Sequence, residues 1–331
     1  MLSLLLRRIS LLSGLAFGLL LGSAHPALAN HLLGGEMTYR YLGASGFAAA
    51  PYRYELTITI YNNCGQPAIR SSAAVGIFDQ ATGNRLALTT TNYGTLSGNG
   101  DLAIPSTSLS ACLTPTVPLG CTISGASQPY QLQKFVATIN LPASSQGFYA
   151  VWSDGNRNID ISNLVNPSSQ TMSLYATLAP PTVPNSSPVF SDIAVALVCA
   201  NDTTYLLNNA VDPDGDRLTY SFGQPYGIVG TLFSFVPPPA VVPYRAGFGY
   251  SPTTPFGTVA GSYAAIDPAS GIAKYVGTTV GAKYAVAVDV REYRTIGGQQ
   301  VLIGITRRDL QLVVGSCPNT VAPTLPTTVA T

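Results

Sequence analysis

Apolar and polar residues alternate along much of the chain with the period of two that is typical of β-strands. In the clearest case, Tyr52, Tyr54, Leu56, Ile58 and Ile60 alternate with Arg, Glu, Thr, Thr and Tyr. One apolar and one mainly polar face predict a half-buried antiparallel strand over 52–61. Similar patterns predict strands at 37–42, 74–78, 135–141, 148–152, 172–178, 194–199, 218–222, 284–290 and 301–314. No 11-residue stretch keeps a helical period, so the chain is predicted to be all-β.

A proline-rich segment divides the predicted strands into two groups. Residues 179–188 contain four prolines, and proline cannot donate to a sheet ladder, so we expect a stiff linker or crossover there. The roughly 300 residues after the first thirty are too many for one β-sandwich. We therefore expect two tandem immunoglobulin-like β-sandwich domains, at 30–178 and 189–318, followed by a disordered tail at 319–331.

The kinds of charged residue also favour strands over helices. The 15 acidic residues comprise twelve Asp and three Glu, and the 16 basic residues comprise thirteen Arg and three Lys. Glu and Lys are good helix formers, whereas Asp prefers turns and caps. Together with 32 Gly, 25 Pro and 18 Tyr, this composition indicates strands joined by turns.

The first thirty residues have the features of a Sec-type signal peptide. Arg7 and Arg8 supply a positive segment, 9–22 is apolar, and 27–29 (Ala-Leu-Ala) is a small-x-small cleavage site. The alternative is an uncleaved membrane anchor, for which the apolar run is short. We expect a mature chain that begins near Asn30 and has no transmembrane segment. Its expected location is the cell surface or the extracellular space, with the periplasm as the alternative.

Five cysteines in an exported chain indicate disulfide bonds rather than metal ligands. One predicted strand ends at Cys199 and the last ends near Cys317, which predicts a bond that joins the two ends of the second domain. Cys112 and Cys121 flank a proline-containing loop, which predicts a local Cys112–Cys121 bond and leaves Cys64 unpaired. Loop-closure entropy sets upper limits of roughly 4.9 kcal/mol for the long loop and roughly 2.6 kcal/mol for the short one.

Several motifs in a fixed order resemble one family of bacterial surface proteins. The runs HLLGGEMTY at 31–39 and YELTITIYNNC at 54–64 are followed by NSSPVF at 185–190 and DPDGDRLTYS at 212–221. This order resembles the amino-terminal region of large Bacteroidetes surface proteins described as gliding-motility-associated or PKD-domain proteins. The resemblance implies PKD-like or cadherin-like β-sandwiches and an adhesive role.

Three carboxylates around a glycine turn form the best candidate for a metal site. Asp212, Asp214 and Asp216 alternate with Pro and Gly, and calcium prefers six to eight oxygen ligands. The turn is not an EF-hand, and it resembles instead the calcium turns of cadherin-like bacterial repeats. Ligands in those turns arrive from separate loops, so Asp267 or Asp192 would complete the shell. The alternative is an Asx-rich turn without a metal that leads into the strand at 218–222.

A second candidate for binding is the long stretch 223–265, which is rich in Gly, Pro and Tyr. Its candidate ligand-binding residues are Tyr226, Tyr244, Tyr250 and Tyr263. Exposed tyrosines offer amphipathic contact area at a small entropic cost, so this loop predicts a carbohydrate-binding module as the alternative function. The other interpretation is that these rings fold inward and cover the edge of the sandwich.

Catalysis is not indicated. His31 is the sole histidine after the signal peptide, so imidazole-dependent catalysis has little support. A glycosidase that works with two carboxylates is a third, weaker hypothesis. The mature chain has 14 basic and 15 acidic residues, so it lacks the positive patch that nucleic acid requires. We expect a non-enzymatic structural or adhesive protein, stiffened by calcium, whose partners are other surface proteins or extracellular polysaccharide.

Overall fold

The computed structural model describes residues 31–64, 69–89, 96–98, 100–114, 128–193, 195–227 and 238–317. The expected signal peptide, Cys121 and the expected tail at 319–331 lie outside these residues. The described part of the chain is all-β, with one short 3₁₀ turn at Pro167–Ser169. None of its helical segments has the length and apolar character needed to cross a membrane.

Nineteen strands account for most of the described residues. They are β1 His31–Gly43, β2 Tyr52–Asn63, β3 Ser72–Asp79, β4 Leu102–Leu109, β5 Tyr130–Leu141, β6 Phe148–Asp154, β7 Asn156–Arg157, β8 Met172–Leu178, β9 Val189–Phe190, β10 Val195–Cys199, β11 Thr204–Leu207, β12 Ala210–Val211, β13 Arg217–Gly223, β14 Tyr226–Gly227, β15 Ala240–Val241, β16 Tyr263–Ile266, β17 Ile272–Val276, β18 Lys283–Ile296 and β19 Gln299–Gly315. Every strand predicted from the sequence corresponds to one of them.

Eight strands close into a ring of hydrogen-bonded neighbours. Their order is β1, β2, β5, β4, β3, β6, β8 and β19, and β19 pairs in turn with β1 through Gly34–Glu36. The ring surrounds the largest apolar core, which includes Trp152, Leu56 and Phe135. One member of the ring, β4, was not among the strands predicted from the sequence.

The second half of the chain forms two facing layers. One layer contains β13, β18, β19 and β10, with β10 parallel to β19, and the other contains β11, β17 and β16. Val286, Leu312 and Tyr275 pack in the core between the layers. Tyr61 and Tyr130 from the first half belong to this same core, so the two halves share apolar packing.

Strand β19 belongs to both halves of the molecule. It is 17 residues long and pairs with β18 along nearly its whole length, with β1 and β8 in the first half, and with β10 in the second. The expected division into tandem domains at 30–178 and 189–318 stays a prediction. Wherever the boundary is drawn, the last strand completes the first half's ring of strands.

The segment 179–188 is docked along β1 rather than suspended between the halves. Ser187 N–H donates to Tyr39 O at 2.8 Å, and Ser187 Oγ accepts from Tyr39 N–H at 2.9 Å. Ser186 Oγ accepts from Tyr41 N–H at 3.2 Å. Asn185, Ser186 and Ser187 are all buried. The prolines therefore lead into a short ordered crossover that covers the open edge of β1.

The structure corrects one cysteine pairing. Cys64 is bonded to Cys112, with Cα atoms 5.7 Å apart, so the Cys112–Cys121 bond and the unpaired Cys64 expected from the sequence are wrong. The reason is the register of β5: Tyr130 pairs with Asn63 on one side and with Leu113 on the other, which brings their neighbours together. The expected Cys199–Cys317 bond is present, with Cα atoms 5.4 Å apart.

Candidate functional site

The acidic turn at 212–216 connects β12 to β13. Asp212 Oδ1 accepts hydrogen bonds from the N–H groups of Asp214 and Asp216, both at 2.9 Å, which fixes an Asx turn. Gly215 has a φ of +80°, a left-handed conformation that a side chain would strain. One carboxylate oxygen from each of the three aspartates lies within 4.8 Å of the others. The turn therefore brings together the three carboxylates that the sequence singled out.

Arg294 on β18 clamps this turn to the crossover segment. Its Nε donates to Asp216 Oδ1 at 2.8 Å, and its Nη2 donates to Asn185 Oδ1 at 2.7 Å. Nη1 donates to Pro184 O at 2.8 Å, and Asp214 Oδ2 is 3.7 Å from Nη2. Hydrogen bonding to Asp216 raises the pKa of Arg294. The positive charge of the guanidinium therefore neutralises part of the negative charge of the three aspartates.

Glu292 lies beneath the clamp and is fully buried. Its Oε2 accepts a hydrogen bond from Asn185 Nδ2 at 2.7 Å, and Asn185 Nδ2 also donates to the Tyr39 hydroxyl at 3.0 Å. Burial, reinforced by the charges of Asp212, Asp216 and Asp214, raises the pKa of Glu292 to about 8. At neutral pH the carboxyl group is therefore mainly protonated.

Two carboxyl oxygens at this site have no hydrogen-bond partner among the described residues. They are Glu292 Oε1 and Asp212 Oδ2, and both atoms are buried. A buried acceptor without a partner costs about 1–3 kcal/mol. Asp212 Oδ2 belongs to the three converging aspartates, whose carboxylates form a donor set that fits a hard cation such as calcium. Glu292 Oε1 lies against Gly304 instead and is not one of the converging oxygens.

Asp267 is not part of this group of converging carboxylates. It lies in an exposed turn after β16, where its Oδ1 accepts hydrogen bonds from Ala269 N–H, Ser270 N–H and Ser270 Oγ. These hydrogen bonds lower the pKa of Asp267. The expected fourth calcium ligand therefore caps its own turn, whereas Glu292, which the sequence analysis did not single out, lies beside the cluster.

Glu292 makes stability depend on pH in a direction opposite to that of an ordinary ion-paired carboxylate. Its pKa rises from 4.5 to about 8 on folding, so the folded protein holds a proton that the unfolded chain releases between these values. We expect the free energy of unfolding to fall as pH rises from about 5 to about 8. Glu292→Gln should flatten this fall in denaturant titrations with chelator present. The partly exposed Glu55→Gln is the control, and an unchanged slope in Glu292→Gln would contradict the assignment.

A row of ion pairs lies along β19. Arg307, Arg308 and Asp309 are all buried, although adjacent charges near the end of the chain are more often solvated. Arg157 donates to both Asp309 oxygens at 2.7 Å. Arg307 Nη2 donates to Asp289 at 2.8 Å, and Arg308 Nε donates to Glu36 at 2.6 Å. The sequence analysis did not predict this belt of ion pairs, although three charged residues inside the apolar run 301–314 could have indicated it.

Most of the tyrosines predicted to bind ligand are packed within the protein. The Tyr226 ring faces the Arg307 guanidinium at 3.7 Å, and Tyr244 packs with a small cluster that contains Ile161 and Leu164. Tyr250 lies against Phe248 and Tyr284. Tyr263 is half exposed, and it shares a groove with Tyr205, which lies outside the predicted loop. The structure therefore does not bring the four tyrosines together as one surface.

Comparisons with protein-family models, with curated proteins and with solved structures find no match to this chain.

Proposed function

We propose that the chain is an exported structural or adhesive protein of the cell surface or extracellular space, and that it is not an enzyme. The observation that carries the proposal is the way the chain's distant parts are tied together. A disulfide joins Cys199 to Cys317, β19 completes the ring of the first half, and buried ion pairs link the two. Disulfides persist in oxidising compartments. Covalent and ionic ties of this kind suit a protein that must keep its shape outside the cell.

Calcium stiffening is part of this proposal. Asp212, Asp214 and Asp216 carry more negative charge than the single positive charge of Arg294 neutralises. Ser186 N–H donates to Asp214 Oδ2 at 2.5 Å, so the turn is already connected to the crossover. A calcium ion held by these carboxylates would add to the contacts of the segment that joins the two halves.

Calcium is expected to raise the thermal midpoint of the protein. At about 100 times its dissociation constant, a ligand that binds only the folded state adds roughly 2.7 kcal/mol to the free energy of unfolding. Scanning calorimetry in calcium and in chelator measures the shift, and Asp214→Ala should remove it.

Asp267→Ala is the matched control, because Asp267 is an exposed aspartate outside the cluster. Its calcium-dependent shift should equal that of the unaltered protein. Equal thermal midpoints with and without calcium would contradict the calcium part of the proposal. The structural role would then depend on the separate tests of the disulfide and of the buried ion pairs.

The finer fold and lineage belong to the proposal as well. We propose two immunoglobulin-like sandwiches of the PKD or cadherin type, and the second of them would correspond to the facing layers of the second half. The motifs at 31–39, 54–64 and 212–221 support kinship with Bacteroidetes gliding-motility-associated surface proteins. The alternative function is carbohydrate binding, and its support is the groove that Tyr263 shares with Tyr205.

A further inference from the structure

The small sheet of β11, β17 and β16 has an unusual outer face. Its inner face carries Ala273 and Tyr275, which are fully buried in the core. A solvent-facing side of an antiparallel sheet is ordinarily polar. Here it presents Tyr205, Tyr263 and Leu207, which are 59%, 50% and 49% exposed. Large exposed apolar groups that lie together indicate a binding surface.

The register places Tyr205 and Tyr263 in one groove. Tyr205 pairs with Lys274, Ala265 pairs with Lys274 from the other side, and Tyr263 pairs with Val276. Paired residues and residues two apart share a face, so the small Ala265 leaves a depression near the two tyrosines. From the strand spacing and the two-residue offset, the Cα atoms of Tyr205 and Tyr263 are about 12 Å apart. The groove that contains both rings measures about 450 Å³.

The same groove is lined by a side chain that donates hydrogen bonds and by one that accepts them. Lys274 Nζ lies 5.6 Å from the centre of the Tyr205 ring and offers donors. Asp267 also lines the groove, and the three hydrogen bonds that its side chain accepts all end on Oδ1. Because its pKa is lowered, this carboxylate is an ionised acceptor at neutral pH. One cation and one anion leave the groove without net charge.

We propose that this groove binds a neutral oligosaccharide. Sugar rings have apolar faces that pack on tyrosine, and their hydroxyls both donate and accept hydrogen bonds, as Asp267 and Lys274 require. The separation of the two tyrosines fits a chain of several sugar rings rather than one ring. The balanced charge disfavours acidic and basic polymers. A protein partner is the rival occupant, and failure of all the tested oligosaccharides to bind would favour it. The inference rests on the proposed adhesive function and names the ligand class for it.

The experiment measures binding of cellohexaose, maltohexaose, xylohexaose and mannohexaose to the exported chain by titration calorimetry at millimolar ligand. We expect at least one to bind, and we expect Tyr205→Ala and Tyr263→Ala each to weaken that binding at least tenfold. Both side chains are largely exposed, so the variants should keep the unaltered thermal midpoint. Lys274→Gln should weaken binding by a smaller factor.

Phe248→Ala is the matched control, because Phe248 is 44% exposed in the stretch 223–265 but does not line the groove. Its affinity should equal that of the unaltered protein. The proposal is overturned if none of the four oligosaccharides binds, if binding survives both tyrosine variants, or if only Phe248→Ala weakens it. These failures leave the disulfide and calcium results untouched, so they would not count against the structural role.

Discussion

Replacing Cys199 and Cys317 together with serine is expected to lower the free energy of unfolding by about 2–5 kcal/mol. The bond spans 118 residues, so its loss restores much freedom to the unfolded chain. It also ties the end of β10 to Cys317, two residues beyond the end of β19, and these two strands pair in parallel. The measurement is denaturant unfolding of the variant and of the unaltered protein under oxidising conditions.

Cys121→Ser is the control for the loss of a thiol. The other four cysteines are bonded to one another, so this variant loses no bond of the structure and should unfold at the same denaturant concentration. Adding reductant should destabilise the unaltered protein at least as much as the double substitution, because it also opens Cys64–Cys112. A fully reduced protein that is equally stable would overturn the proposed role, since the covalent ties would then be dispensable.

Replacing Asp309 with alanine should cost about 3–5 kcal/mol, because it leaves the buried Arg157 guanidinium without its carboxylate. Both side chains are nearly inaccessible, and both hydrogen bonds of the pair measure 2.7 Å. Arg157 would keep its hydrogen bond to Tyr226 O at 3.1 Å, which does not neutralise its charge. Denaturant unfolding gives the difference directly.

The matched control is the surface pair of Arg40 and Glu55. The Arg40 side chain is 61% exposed, and exposed pairs contribute about 0–1 kcal/mol. Glu55→Ala should therefore be almost neutral. A double variant, Arg157→Met with Asp309→Leu, should recover much of the stability lost in Asp309→Ala, since replacing both charges removes the unpaired one. If Asp309→Ala were no more damaging than Glu55→Ala, the belt of ion pairs would not stabilise the junction.

The strands could be predicted because their side-chain pattern is local. In β2, Tyr54, Leu56, Ile58 and Ile60 are buried as the alternation predicts. Tyr61 breaks the pattern, because the second half packs against the opposite face of β2 at that point. Short strands such as β11, β16 and β17 were missed, since four or five residues show too little periodicity.

The contacts of the candidate site could be predicted only in part. The run 212–216 was recognisable because its three aspartates lie within five residues. Its partners Asn185, Glu292 and Arg294 come from distant positions that only the fold brings together. The same reason explains the Cys64–Cys112 error: spacing along the chain favours the nearer cysteine, whereas the register of β5 selects the farther one.

The Cys199–Cys317 bond has a mechanical consequence. When tension pulls on the chain from points before Cys199 and after Cys317, the load passes directly between the two sulfur atoms. The covalent path of the load therefore bypasses the 117 residues enclosed by the bond, and the backbone between the two cysteines cannot be drawn out into an extended chain. The groove of Tyr205 and Tyr263 lies inside this loop, so its strands are outside the covalent line of the tension.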